Sequence, residues 1–191
     1  MRKLTILVDM DDTIEHLIEP WVQYLNEKHG TSVSVDDIRS WDIQKMFPEL
    51  SAEQVFEPMD HAEFWDLVKP MAGAPGALRG FLNAGHEVKI VTASGYKTIE
   101  AKMERVLFRH FPFLSWNDVI ITSNKQMIKG DVLIDDAPHN LEGGDYFKIL
   151  MTAPHNRDYC ALYHNMHRVS NWEEVQALIS WLSTHESESN S

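Results

Sequence analysis

Thr5-Ile6-Leu7-Val8-Asp9-Met10-Asp11-Asp12-Thr13 is the stretch whose reading decides the fold. A short apolar run that breaks off into carboxylates reads as a buried strand delivering polar groups to one end of a sheet. In an open parallel sheet, ligands bind beyond the carboxyl ends of the strands, so these acids stand where a site belongs. Two acids one residue apart in a tight loop can converge on one point, one attacking while the other handles a proton. Asp12-Thr13 also suits a helix start, because Asp is a good N-cap.

Working outward, four more apolar runs read as strands, at residues 88–91, 119–121, 132–134 and 149–151. Several are apolar on both faces, as a parallel sheet covered by helices on both sides requires. Between the second and third strands, Ile99, Met103, Val106, Leu107 and Phe111 recur at helical spacing. Ser170 and Glu173 form a capping-box pattern ahead of the stripe Trp172, Val175, Ile179 and Leu182. Alternating strands and helices predict a doubly wound α/β core with a parallel sheet, built from residues 1–14 and 72–184. Residues 15–71 do not fit the alternation. They show no convincing strand, only helix-like segments carrying Trp21, Trp41, Phe47, Phe56, Phe64 and Trp65, punctuated by Pro48, Pro58 and Pro70. This reads as a small helical cap inserted after the first strand. Residues 185–191 read as a frayed polar tail.

The chain has 191 residues and 43% hydrophobic content, enough to bury a core. Its 17 basic and 29 acidic side chains leave a net charge of −12. That charge argues against a nucleic-acid polymer or an anionic membrane surface as partner, because both need a positive face. No apolar run approaches the roughly 18 residues of a membrane span. Cys160 is the single cysteine, so no internal disulfide can form and a cytoplasmic location is expected. It has no activating partner in the sequence, which argues against thiol chemistry. The acidity leaves a puzzle: a small anionic substrate would need some means of approach.

Each predicted strand end carries a chemical group. The fourth leads into Asp135-Asp136-Ala137-Pro138, a second acidic pair at the same end of the sheet, whereas Asp131 lies at the far end. Two acidic strand ends that face each other repel unless a hard cation such as Mg²⁺ lies between them. The second strand ends in Thr92-Ala93-Ser94-Gly95, where hydroxyls and free N–H groups before a helix can cradle an anion, though they are also ordinary capping residues. The third leads to Lys125, able to hold a phosphate as a point charge, although a lone Lys is more often a surface residue. The order of acid pair, hydroxyl, lysine and acid pair carries more information than any one member.

That order resembles the haloacid dehalogenase superfamily of phosphatases. Asp9-Met10-Asp11-Asp12-Thr13 is similar to its first motif, Thr92 to its second, Lys125 to its third and Asp135-Asp136 to its fourth; Asp12 departs from the more usual Gly. Residues 64–155, with Phe64-Trp65, Pro75-Gly76-Ala77 and Gly130-Asp131-Val132, further resemble the 5′(3′)-deoxyribonucleotidase branch. So do Thr152-Ala153-Pro154-His155-Asn156 and Ser170-Asn171-Trp172. The resemblance implies a Mg²⁺-dependent phosphomonoesterase acting on a nucleoside monophosphate. It implies Asp9 as nucleophile and Asp11 as acid and base. It places Mg²⁺ on Asp9, Asp136 and the main-chain carbonyl of Asp11, with Asp135 in support, and phosphate on Thr92 and Lys125; Ser94 stays a phosphate-binding candidate from its place after the second strand.

Substrate choice would fall to the cap, where Trp41, Phe47 and Phe56 are candidates to stack a base, although a cap also needs a core of its own. His155 is a candidate at the end of the last strand. Arg39 is a weaker anion-binding candidate, and His16 reads as a cap or hinge residue. The same chemistry on a sugar phosphate, a receiver-like signalling domain and a silent binding protein are the alternatives. A receiver would place its acid after a middle strand and its Lys after the last, unlike this chain.

Overall fold

The computed structural model describes residues 1–185. β1 (Thr5–Val8) leads through the acidic loop to β2 (Glu15–His16) and α1 (Ile18–His29), which ends at Gly30 in the left-handed conformation. Short 3-10 turns and α2 (Ala52–Phe56) follow, the latter started by a Ser51–Gln54 capping box. The chain returns through β3 (Lys69–Pro70) to α3 (Ala74–Asn83) and β4 (Glu87–Thr92). Next come α4 (Ile99–Lys102), a π turn at Met103–Leu107 and α5 (Phe108–His110). The rest is β5 (Val119–Ile121), β6 (Val132–Asp135), α6 (Pro138–Leu141), β7 (Phe147–Met151), β8 (Met166–Val169) and α7 (Trp172–His185).

Six strands form one parallel sheet in the order β5-β4-β1-β6-β7-β8. β1 lies at its centre, Ile6 pairing with Val88 on one side and Val132 on the other. The period of two along β1 sends Ile6 and Val8 into the larger core, with α3, the π turn and α7. Leu7 turns to the opposite face, with Leu133, Leu150 and Leu141 of α6. Both faces are therefore covered, and the expected doubly wound α/β fold is present. Among the described residues no helix is long and apolar enough to cross a membrane.

Four local expectations change. β8 is a sixth strand that the reading of residues 149–151 as the last did not anticipate; Met-His-Arg-Val lies at the sheet edge, where polar residues are tolerated. A two-stranded antiparallel ladder also stands where residues 15–71 were read as free of strand: Glu15 pairs with Pro70 and His16 with Lys69. The capping box of α7 is shifted by one residue. Asn171 Oδ1 accepts from Glu174 N at 2.9 Å, and Glu174 accepts from Ser170 N at 2.8 Å, because the helix begins at Trp172. His185 closes α7 rather than opening the polar tail, and 186–191 lie outside the described residues.

Candidate active site

The loop after β1 is shaped by Asp12. Its φ of +50° is left-handed, and its buried carboxylate accepts from Leu17 N at 3.2 Å and Ile18 N at 3.3 Å. A side chain that caps α1 from within the loop thus occupies the position where the resembled motif more often has Gly. The main chain then turns tightly, and Asp9 N donates to Ile134 O at 2.8 Å, tying the loop to β6.

Asp9 and Asp11 each have an ammonium partner of their own. Lys125, buried on a 3-10 turn after β5, donates to Asp9 and, at 2.6 Å, to Asp135. Lys102, buried at the end of α4, donates to Asp11 at 2.6 Å and to the Thr92 hydroxyl at 3.1 Å. The two acids respond differently. Burial raises Asp9 well above the usual carboxylate range, helped by Asp135 and Asp136 and opposed by Lys125. Burial also pushes Asp11 up, but Lys102, together with Glu15 and Lys125, more than offsets it and leaves Asp11 lowered. Lys125 is held charged by Asp9 and Asp135 against the opposing effect of burial.

Carboxylate oxygens of Asp9, Asp135 and Asp136 all lie within 4.8 Å of one another, and all three residues are buried. Such a set, of hard oxygen donors and surplus negative charge, is able to hold a divalent metal ion. Within it Asp135 is the most committed, accepting from Ala137 N at 2.8 Å, from Asn140 at 3.0 Å and from Lys125. Asp136 is held from outside. His155 Nε2 lies 3.1 Å from its carboxylate, and Asn156 donates to its main-chain oxygen at 2.6 Å. Burial raises Asp136, as does Asp135, while His155 lowers it.

Above these groups lies a cavity of about 230 Å³. Asp9, Asp11, Asp12, Lys125 and Asp136 form its polar floor; Trp21, Trp41, Phe56, Ile43 and Met59 form apolar walls, and His155 and Asn140 also reach it. Trp41 is 63% exposed and packs edge-on against His139 at 5.0 Å, joining the 15–71 segment to the turn after β6. Trp21, not singled out from sequence, lies 5.3 Å from Phe56 and donates to Val55 O at 2.7 Å.

Several expected site residues fall elsewhere. Phe47 is only 2% exposed, packed in the core and absent from the cavity wall, because a small helical segment spends some aromatics on its own interior. Ser94 lies on a separate shallow groove with Thr122 and Ser123. Thr92 is fully buried, with its hydroxyl turned to Lys102. Arg39 donates to the main-chain oxygens of Asp36 and Ile38 and faces Asp158 at 3.8 Å, so it is engaged away from the floor. His16 is exposed on the short ladder, and Cys160 is a free exposed thiol. Asp131, at the other end of β6, accepts from Thr5 N at 2.7 Å and pairs with Arg2. Lys102 is the main residue missed. It lies three residues after Ile99 and four before Val106, on the apolar stripe, and a lysine there is a readable anomaly.

Comparison with known proteins agrees with this geometry. Residues 2–185 match the family model described as "5′ nucleotidase, deoxy (Pyrimidine), cytosolic type C protein". A 5′(3′)-deoxyribonucleotidase of Bacillus subtilis is 33% identical over 175 residues, covering 91% of this chain and 97% of the relative. One from Clostridium acetobutylicum is 31% identical over 178 residues, covering 93% and 96%. Among solved structures, a haloacid dehalogenase-like hydrolase from Streptococcus pneumoniae has a TM-score of 0.63 at 15% identity, covering 93% of this chain and 98% of its own. A hydrolase of the same superfamily from Deinococcus radiodurans, with bound phosphate and sodium, has a TM-score of 0.59 at 13% identity, covering 93% and 95%. A six-stranded parallel sheet with acids at its carboxyl edge and a family match along nearly the whole chain lead to one conclusion: this chain, with the fold of haloacid dehalogenase-like hydrolases, belongs to the cytosolic type C deoxy-5′ nucleotidase family and is a phosphoric monoester hydrolase.

Proposed function

We propose that the protein hydrolyses nucleoside monophosphates, deoxyribonucleotides among them, to nucleoside and phosphate, with residues 15–71 acting as a cap over the site. The observation that carries this reading is the division of the cavity, with charged groups on its floor and flat aromatic walls above. Phosphate belongs with the former and a base with the latter.

Asp9 attacks phosphorus; the bond from its carboxylate oxygen to phosphorus forms as the bond to the sugar oxygen breaks, and Asp11 gives that oxygen a proton. In the second step water attacks the aspartyl-phosphate, Asp11 takes the proton, and Asp9 is released with inorganic phosphate. Lys125 steadies Asp9 and offers its charge to the phosphoryl oxygens, and Lys102 with Thr92 fixes Asp11. Asp9, Asp136 and the Asp11 main-chain carbonyl would hold Mg²⁺, with Asp135 supporting them. The bound ion supplies neutralisation of negative charge, the main demand of phosphoryl transfer. The reading includes a cytoplasmic protein with no polymeric nucleic-acid or membrane partner.

The test is release of phosphate from dUMP or dTMP with Mg²⁺, comparing wild type with Asp9→Asn. Removing the nucleophile should lower kcat to background, and chelating the metal should do the same to wild type. Unchanged turnover by Asp9→Asn would refute the assignment. A clear preference for sugar phosphates across a substrate panel would remove the nucleotide claim.

A further inference from the structure

Glu15 has no part in the steps above, yet it is 0% exposed and neither of its carboxyl oxygens has an ammonium, amide or hydroxyl donor; the side chain within hydrogen-bonding reach is another carboxyl, that of Asp11. Leaving a polar group buried and unpaired costs about 1–3 kcal/mol. Position 15 needs a strand residue to pair with Pro70, and any apolar side chain could fill the inward direction that β2 imposes. The neighbourhood explains the choice of a polar one. A β-bridge connects Asp11 and Glu15. Asp11 Oδ1 is likewise buried without such a donor, while its other oxygen is held by Lys102, and the Glu15 carboxyl lies within hydrogen-bonding reach of Asp11. Glu15 lies close enough to Asp11 and Lys102 for both to act on its charge. Lys102, packed 5.7 Å from the Trp65 ring centroid, has little freedom to turn elsewhere.

We infer that Glu15 is a positioning residue for Asp11: its polar end, presented by β2, braces the Asp11–Lys102 pair so that Asp11 faces the leaving-group oxygen. This rests on the proposed acid–base role of Asp11. What Glu15 supplies is a hydrogen-bonding group at that reach, which an amide of the same length also supplies and a thioether does not.

The experiment compares wild type, Glu15→Gln and Glu15→Met on dUMP with Mg²⁺, following steady-state kinetics and thermal melting. Asp11 acts in the transition state while other groups grip the ground state, so the loss belongs in kcat. Glu15→Met should lose about 100-fold in kcat, the scale of a misplaced general acid, with KM unchanged. Glu15→Gln should recover most of that loss. Glu15→Met should melt no lower than wild type, because it removes a buried unpaired group. The inference is overturned if Glu15→Met keeps its kcat, loses activity through KM, or melts below wild type. It is also overturned if Glu15→Gln falls as far as Glu15→Met. Absence of dUMP hydrolysis in wild type would instead refute the underlying function.

Discussion

At the scale of residues, the two loop acids differ through their neighbours rather than their own chemistry. Asp9 and Asp11 are the same side chain two positions apart, but burial and two further carboxylates push one up, while Lys102 brings the other down. Trp41 is the residue whose role is most cleanly separable from folding. It is largely exposed and touches His139 across the cavity mouth. Base stacking on an aromatic ring contributes about 1–3 kcal/mol, so Trp41→Ala should raise KM for dUMP by about 10-fold or more. Because the site is exposed, its melting temperature should stay near wild type, corresponding to a change within about 0.5 kcal/mol. An unchanged KM would remove Trp41 from the substrate site. Legibility at this scale follows chain continuity. Asp9, Asp11, Lys125, Asp135 and Asp136 are readable because each lies at or within four residues of the end of an apolar strand. Lys102 is readable only as a lysine on an apolar stripe; its role depends on which carboxylate the helix meets in space. Trp41 and Phe47 look alike in sequence, and only packing sends one to the wall and the other to the interior.

At the scale of elements, β1 sets the tolerance of everything around it. Gly130, on the approach to β6, comes so close to β1 that an added Cβ would stand 2.6 Å from Leu7 Cγ. Leu7 is itself buried on the smaller core face and has nowhere to retreat. Gly130→Ala should therefore destabilise the fold by about 1–3 kcal/mol, the usual cost of overpacking, seen as a lower denaturant midpoint. Pairing it with Leu7→Ala should return part of the loss, and a lack of any such coupling would contradict the contact. The central strands and the stripe on α7 were legible because their periods are strong. β8 and the Glu15–His16 ladder were not, because two to four residues at an edge carry no period. The one-residue shift of the α7 cap has the same origin: Ser170–Glu173 and Asn171–Glu174 are equally good patterns, and only the start of the helix chooses between them.

At the scale of the whole molecule, the net charge of −12 is unevenly spent, and six acids (Asp9, Asp11, Asp12, Glu15, Asp135 and Asp136) gather around two buried lysines. The acidity that argues against a polymeric partner is thus partly an internal matter of the site. Stability against pH should carry a separate signature far from it. His86 Nδ1 accepts from Leu4 N at 3.1 Å, and burial, with Lys3 nearby, lowers its pKa below 6.5. The unfolded chain then binds the proton more readily, so this contribution is complete above about pH 6.5 and lost as pH falls through the lower folded value. Melting measured at pH 7.5 and 5.5 should fall further for wild type than for His86→Gln; an equal fall would place the dependence elsewhere.

The short ladder between Glu15–His16 and Lys69–Pro70 has a consequence for how such a protein can change. Met71 N donates to Ile14 O at 2.8 Å, so the chain leaves the sheet layer and rejoins it at points one hydrogen bond apart. Ends that meet in this way impose no length requirement on the strands beneath, although the segment also packs on the core through Phe64 and Trp65. Insertions or deletions in the turns between residues 31 and 60 leave the sheet register untouched, and natural variation or design can retune selectivity there while Glu15, Trp65 and the strand-end acids stay in place.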